Sequence, residues 1–189
     1  MVYREIAQIS TPRLWLRKLC REDVQAYYDR IGSRPEVTAG MLWEPHRDIS
    51  DSVASIEKAL HRYAAGKCYR WGIELPGEGL IGVIELLGFD ENAERCSFAY
   101  MLCPEYWGQG YGTEALRAAL DFAFTRLEIK QVVVDHFTTN PASGAVMRKA
   151  GMQFQGILPE KYEKQGKKLD AAQYSITKEA FYDKETALG

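Results

Sequence analysis

The chain is 189 residues long, carries a formal net charge of −2 and is 46% hydrophobic, which suits one domain, residues 1–189, with a sizeable core. Acidic and basic residues are interspersed without the cationic stripe that a nucleic-acid backbone demands, and no uncharged run approaches the roughly 20 residues needed to cross a bilayer. Neither nucleic acid nor a membrane is therefore an expected partner. The opening Met1-Val2-Tyr3-Arg4-Glu5 lacks an apolar signal core, which predicts a cytoplasmic location. Cys20, Cys68, Cys96 and Cys103 and the three histidines lack metal-site spacing, so no metal is expected and the cysteines read as reduced core thiols.

Taken in chain order, the pattern predicts a strand over 14–19 and a helix over 23–31. An irregular aromatic segment at 32–49 follows, then a helix over 50–65. Strands are expected at 69–75, 80–87 and 95–102, each apolar-rich or alternating and bounded by Gly, Pro, Asp or Asn. Next come a helix over 113–127, a strand over 131–137, a helix over 142–150, and strands over 154–158 and 172–177 with a tight turn at Gln165-Gly166. The order is mixed and free of repeats or linkers, giving an α+β domain around one sheet.

The run Trp107-Gly108-Gln109-Gly110-Tyr111-Gly112-Thr113-Glu114-Ala115 places glycines on alternate positions between a strand closed by Pro104 and an amphipathic helix. Leu116, Leu120, Ala123, Phe124 and Leu127 recur at helical spacing, so the glycines sit at a helix N-terminus. Unpaired N–H groups and the positive end of the macrodipole there favour a phosphate or pyrophosphate. Two familiar phosphate motifs fail. Counting from Gly108, the sixth position of G-x-G-x-x-G is Thr113, and no Gly-Lys-Ser/Thr occurs.

What remains, Trp107-x-x-Gly110-x-Gly112, resembles the acyl-CoA pyrophosphate loop of the GNAT acetyltransferase superfamily, usually Arg/Gln-x-x-Gly-x-Gly/Ala. Trp107 at its first position is similar to the RimJ/RimL-type branch of ribosomal-protein N-terminal acetyltransferases. Other motifs stand in family order. Thr11-Pro12-Arg13-Leu14-x-Leu16-Arg17 resembles the first strand, Ile81-Gly82-Val83-Ile84 the third, and Asn140-Pro141-Ala142-Ser143 with Lys149-Ala150-Gly151-Met152 the N-x-x-S…K-x-G-F segment.

The resemblance implies a mixed, mostly antiparallel seven-stranded sheet flanked by helices, with its fourth and fifth strands splayed to admit acetyl-CoA as co-substrate. It implies that Met101 and Leu102 pair with the pantetheine arm. Gln109, Gly110, Tyr111, Gly112 and Thr113 would supply N–H groups to the pyrophosphate beside Trp107. Asn140 would contact a pantetheine amide, and Ser143 would act as general acid for the leaving thiolate. The family often places a glutamate on the fourth strand as general base; here that position is Ser97, so Glu85 and Glu160 are the candidate bases. For the acceptor, Trp43, Glu85 and Tyr100 are the expected contacts, with Tyr162 and Lys164 in the closing hairpin. The implied reaction is direct attack of a primary amine on the thioester. The acceptor is expected to be a protein N-terminal α-amine, with small amines, amino acids or antibiotics, or a non-catalytic acyl-CoA sensor, as alternatives. The molecule is expected as a monomer or homodimer.

Overall fold

A computed structural model describes residues 5–66 and 68–186. Its strands are β1 (Ile9–Ser10), β2 (Trp15–Arg17), β3 (Tyr69–Leu75), β4 (Gly79–Asp90), β5 (Arg95–Leu102), β6 (Gln131–Phe137), β7 (Gln153–Lys164) and β8 (Lys167–Thr177). Its α-helices are α1 (Val24–Tyr27), α2 (Pro35–Thr38), α3 (Ile49–Ala64), α4 (Tyr111–Arg126), α5 (Pro141–Lys149) and α6 (Lys178–Thr186). The strands form one sheet in the order β1-β2-β3-β4-β5-β6-β8-β7, in which only the β5–β6 pair is parallel among the described pairings.

This is the α+β, mostly antiparallel single sheet that the resemblance implies, with corrections of detail. Among the described residues there are eight strands where seven were expected, because the two-residue β1 pairs with β2. The helix expected at 23–31 is a succession of a 3₁₀ turn (Arg21–Asp23), α1 and a π-helical turn (Tyr28–Gly32). The closing strands are longer than their apolar pattern suggested, since β7 is mostly exposed and carries its register with charged residues. Gln165 and Gly166 both have positive φ, 52° and 71°, the geometry of a two-residue hairpin turn whose twist matches the flanking strands. Cys68, Cys96 and Cys103 are buried and all four thiols are free, with burial pushing Cys96 up to about 12. Among the described residues no helix is long and apolar enough to cross a membrane.

Strand alternation sorts side chains to two faces, and this decides where the chemistry sits. On one face Ile84, Phe98, Leu102 and Val132 pack with Leu116, Ala119, Leu120 and Ala123 of α4 in the larger core. On the other, Val83 packs with Ile56 and Ala59 of α3 and Tyr27 of α1. Cα register pairs Arg70 with Glu85 and Glu85 with Ala99, so these three share the α3 face, while Tyr100, opposite Ile84, belongs to the α4 face.

Candidate active site

β5 and β6 pair only at Arg95–Gln131 and Cys96–Val132 and then part. β5 stays paired to β4 as far as Leu102, and β6 stays paired to β8 as far as Phe137. The edges that face each other across the gap from Ser97 and Val133 onward have no strand between them. Backbone polar groups on such edges demand partners, and an extended chain bearing amides can provide them. A cavity of about 1470 Å³ occupies this gap and opens to both faces, lined by Tyr100, Val146 and Ser143 from one side and by Glu85, Ala99 and Arg62 from the other.

At one end lies the start of α4. Its N-cap, Gly110, is left-handed with φ of 86° and no side chain caps the helix, so the first amides of a 16-residue helix are unclaimed. Gly112 is helical and buried, with room for a methyl group: a Cβ there would meet Val146 and Tyr100 at 3.7 and 3.8 Å. Of the two motif glycines, only Gly110 thus requires its unusual φ.

Arg13 organises this turn from 96 residues away in sequence, donating from Nη1 to the Gln109 carbonyl at 3.0 Å and lying 4.4 Å over the Tyr111 ring. In a trans peptide the carbonyl of one residue and the N–H of the next point oppositely, so this bond turns the Gly110 N–H away from Arg13. Arg13 Nε also pairs with Glu114 Oε2 at 2.6 Å, and Thr11 Oγ1 and the Arg13 N–H donate to Oε1 at 2.6 and 2.9 Å. Burial pushes the Glu114 carboxyl up, but these hydrogen bonds outweigh it and the net displacement is downward. The acid in the first turn of α4 is therefore held by the N-terminal segment instead of folding onto the helix's own amides.

Further along the gap, Asn140 caps α5, its Oδ1 accepting from the Ser143 N–H at 3.3 Å. Ser143 Oγ lies 3.1 Å from the Tyr100 hydroxyl. Burial pushes the Tyr100 phenol up, the bond to Ser143 opposing it, so Tyr100 stays protonated at neutral pH. Trp107 is exposed, and its indole Nε1 donates to the Leu102 carbonyl at 2.7 Å, which gives that carbonyl one partner already. Met101 is half-buried on the α3 face of β5 and lines the cavity. Gln109 and Tyr111 are not lining residues; the Gln109 side chain bonds the Glu105 carbonyl. Thr113 lines the cavity with Gly110 and Gly112.

At the other end, Trp43 lines the cavity and lies 5.1 Å from His46 with the rings tilted by 40°, and His46 Nδ1 lies 2.7 Å from Ser52 Oγ. The closing hairpin fastens this segment: Lys164 Nζ donates to the Thr38 and Met41 carbonyls at 2.7 and 2.8 Å, and Gln165 donates to Glu44. Tyr162 donates to Asp135 at 2.5 Å. Glu85 lines the cavity, one oxygen bonded to Arg62 Nη1 at 2.5 Å. Glu160 is not brought to the cavity: it is exposed on β7 and paired with Lys168. A turn with left-handed φ of 50° aims it outward, which its neighbourhood in sequence does not disclose. Sequence reasoning missed Arg13, Arg62, Arg70 and Asp135. Arg13 was visible within Thr11-Pro12-Arg13-Leu14, but its bond to the loop required the fold.

The chain is similar to known acetyltransferases. YoaA of Bacillus subtilis (strain 168), an uncharacterized N-acetyltransferase, is 29% identical over 90% of this chain and 96% of its own. The spermidine N(1)-acetyltransferase of Escherichia coli (strain K12) is 26% identical over 85% of this chain and 84% of its own. The solved RimL ribosomal L7/L12 α-N-protein acetyltransferase in complex with coenzyme A superposes with a TM-score of 0.81 at 19% identity, covering 92% of this chain and 99% of that one, a likeness of fold. The sequence profile of the acetyltransferase (GNAT) domain matches residues 13–153. The chain belongs to this GNAT family and is an acetyl-CoA-dependent N-acetyltransferase.

Proposed function

We propose that the acceptor is the α-amine at the N-terminus of a peptide or protein, and that it attacks the thioester directly. Acetyl-CoA brings the activated acetyl group; the chain's own residues position, exclude and move protons. On this reading the uncapped amides at Gln109 to Thr113 hold the pyrophosphate beside Trp107. The strand edge at Met101 and Leu102, with Asn140, receives the amides of the pantetheine arm. Ser143, hydrogen-bonded to the protonated Tyr100, donates to the departing sulfur. A thiol of pKa about 8.5 leaves readily, so this donation assists more than it enables. The fit of the co-substrate is supported by an uncapped helix start at one end and an unpaired strand edge at the other.

One observation carries the acceptor reading: each carboxylate lining the cavity is already engaged. Glu36 lies 3.6 Å from Arg34, Glu44 accepts from Gln165, Asp51 accepts from the Arg47 N–H, Glu85 pairs with Arg62, and Asp135 takes Lys161 and Tyr162. A lysine side chain, pKa about 10.4, arrives almost wholly charged near neutrality and needs a free base, whereas an α-amine at about 7.7–8.0 arrives partly neutral. Cationic partners take up the charge of Glu36, Glu85 and Asp135, which disfavours a polyamine, although a spermidine enzyme is among the relatives.

Thiol release at pH 7 tests this with three acceptors: a peptide with only its α-amine free, the same peptide with only a lysine ε-amine free, and spermidine. The α-amine should react fastest, with its rate rising toward pH 9 as more of it is neutral. Glu85→Gln should slow it more at pH 7 than at pH 9 if the second Glu85 oxygen helps remove the proton. Faster acetylation of lysine or spermidine at pH 7 overturns the assignment.

A further inference from the structure

Arg70 stands on the α3 face of β3, beside Glu85 in register, and lines the acceptor end of the cavity. It is half-buried, and its guanidinium has no carboxylate partner among the described residues. Nη2 donates to the Tyr27 hydroxyl at 3.0 Å and reaches Ser55 Oγ at 3.4 Å, and the plane lies 5.6 Å from the Tyr27 ring centroid. Its Nε is buried with no hydrogen-bond partner. Glu85 does not serve as its counter-ion, because its carboxylate is bonded to Arg62. Charged side chains are rarely withdrawn from water without an opposite charge, and a buried N–H left unmade is costly. Lys58, one turn before Arg62 on the same face of α3, lines the same wall and has no hydrogen bond or ion pair among the described residues.

We propose that this wall is a subsite for an anionic group of the acceptor, with Arg70 as the fixed donor and Lys58 as a flexible second cation. The acceptor would then be a primary amine with a carboxylate near it, in a peptide an Asp or Glu following the N-terminal residue. This rests on the α-amine reading and narrows it. The chemistry is consistent along the wall. Arg70 is pre-set by Tyr27 and Ser55, so little side-chain freedom is lost when an anion docks. The paired Arg62 and Glu85 add no net charge beside it. A polycation would meet two unneutralised cations here, so the subsite selects against it by repulsion as well as for an acid by attraction.

The test is steady-state thiol release at saturating acetyl-CoA with peptides identical except at the second and third positions, which carry Glu, Gln or Lys, alongside β-alanine and putrescine. Wild type should show a KM about tenfold lower for Glu than for Gln, and Lys should be poorest. Arg70→Gln should raise the KM of the Glu peptide to that of the Gln peptide while leaving kcat and the KM for acetyl-CoA in place. Arg70→Lys should restore part of the preference. Lys58→Glu, a surface change that the fold tolerates, should shift the preference toward the Lys peptide. Equal KM values for Glu and Gln in wild type overturn the subsite, as does a uniform loss with every acceptor in both Arg70 variants. The outcome also separates the two readings. If β-alanine is acetylated and all peptides are silent, the α-amine assignment falls and the anion subsite stands; if peptides react irrespective of charge, the reverse holds.

Discussion

The two ends of the cleft are built by different means. At the end proposed for the co-substrate the groups on offer are backbone amides, positioned by two left-handed glycines, Gly108 and Gly110, one helix start and one guanidinium holding a carbonyl. At the acceptor end they are side chains, delivered by α3, β3, β4 and a segment pinned by the closing hairpin. Backbone amides cannot be changed by substitution without changing conformation, so that end is fixed for one ligand. Side chains can be exchanged singly, so the acceptor end can diverge while the fold and the first end persist. Relatives that act on spermidine and on a ribosomal protein share this fold, as such a division would allow.

The largest expected effect separates the ends most sharply. Gly112→Asp puts a carboxylate into the first turn of α4 and should weaken acetyl-CoA binding by about 100-fold or more in calorimetry, through like-charge repulsion at a helix start. Gly112→Ala should bind nearly as wild type, because its Cβ would meet neighbours at ordinary contact distance. If the alanine and aspartate variants lose affinity equally, volume and not charge governs this end.

A smaller effect belongs to the junction of the two ends. Ser143→Ala and Tyr100→Phe should each lower kcat about three- to tenfold with acetyl-CoA affinity retained, and the double variant should be no worse than the poorer single one, since the hydroxyls act through one hydrogen bond. Multiplying losses in the double variant would show two independent roles.

The smallest concerns the acceptor end alone and is read by pH. Burial holds His46 below its usual value, with Asp51 opposing and Arg70 reinforcing the displacement. Its neutral form is thus the one that the fold favours. The stability it lends to the segment carrying Trp43 is fully present above about pH 6.5 and is lost as pH falls toward the lowered folded value. Between pH 7.5 and 5.5 the acceptor KM should rise about two- to threefold beyond what amine protonation explains, with the Kd for acetyl-CoA unchanged. His46→Asn should abolish that step; a step that survives in the variant assigns it elsewhere.

The same division explains what could be read in the sequence. Gly110, Gly112, Asn140 and Ser143 lie in short local patterns whose spacing is itself the chemistry, and strands 69–75, 95–102 and 131–137 were legible to the residue because each is apolar with clear punctuation. The C-terminal α6, α2 and the two-residue β1 carried no strong period and were missed. The acceptor wall was illegible for a different reason. Arg62, Arg70 and Glu85 come from three elements, and only the pairing of β3 with β4 puts two of them side by side. Glu160 lies beyond the strand read at 154–158, in a bulged stretch of β7 with left-handed φ where it pairs with Lys168, and no local pattern discloses that placement.

The ties from Thr11 and Arg13 to Glu114 span 103 and 101 positions of the chain. Contacts of such sequence separation form late in folding, since a long loop must close before they return any energy. The helix start at Gly110 therefore acquires its final shape only after the first strand has docked beside it. A nascent chain with every later element in place, but with its first dozen residues unanchored, would hold Glu114 free to cap its own helix. Competence for the co-substrate would then be the last property to mature, and any fusion or trimming at the amino end that disturbs Thr11 would be felt first as lost affinity for coenzyme, on the far side of the sequence from the change.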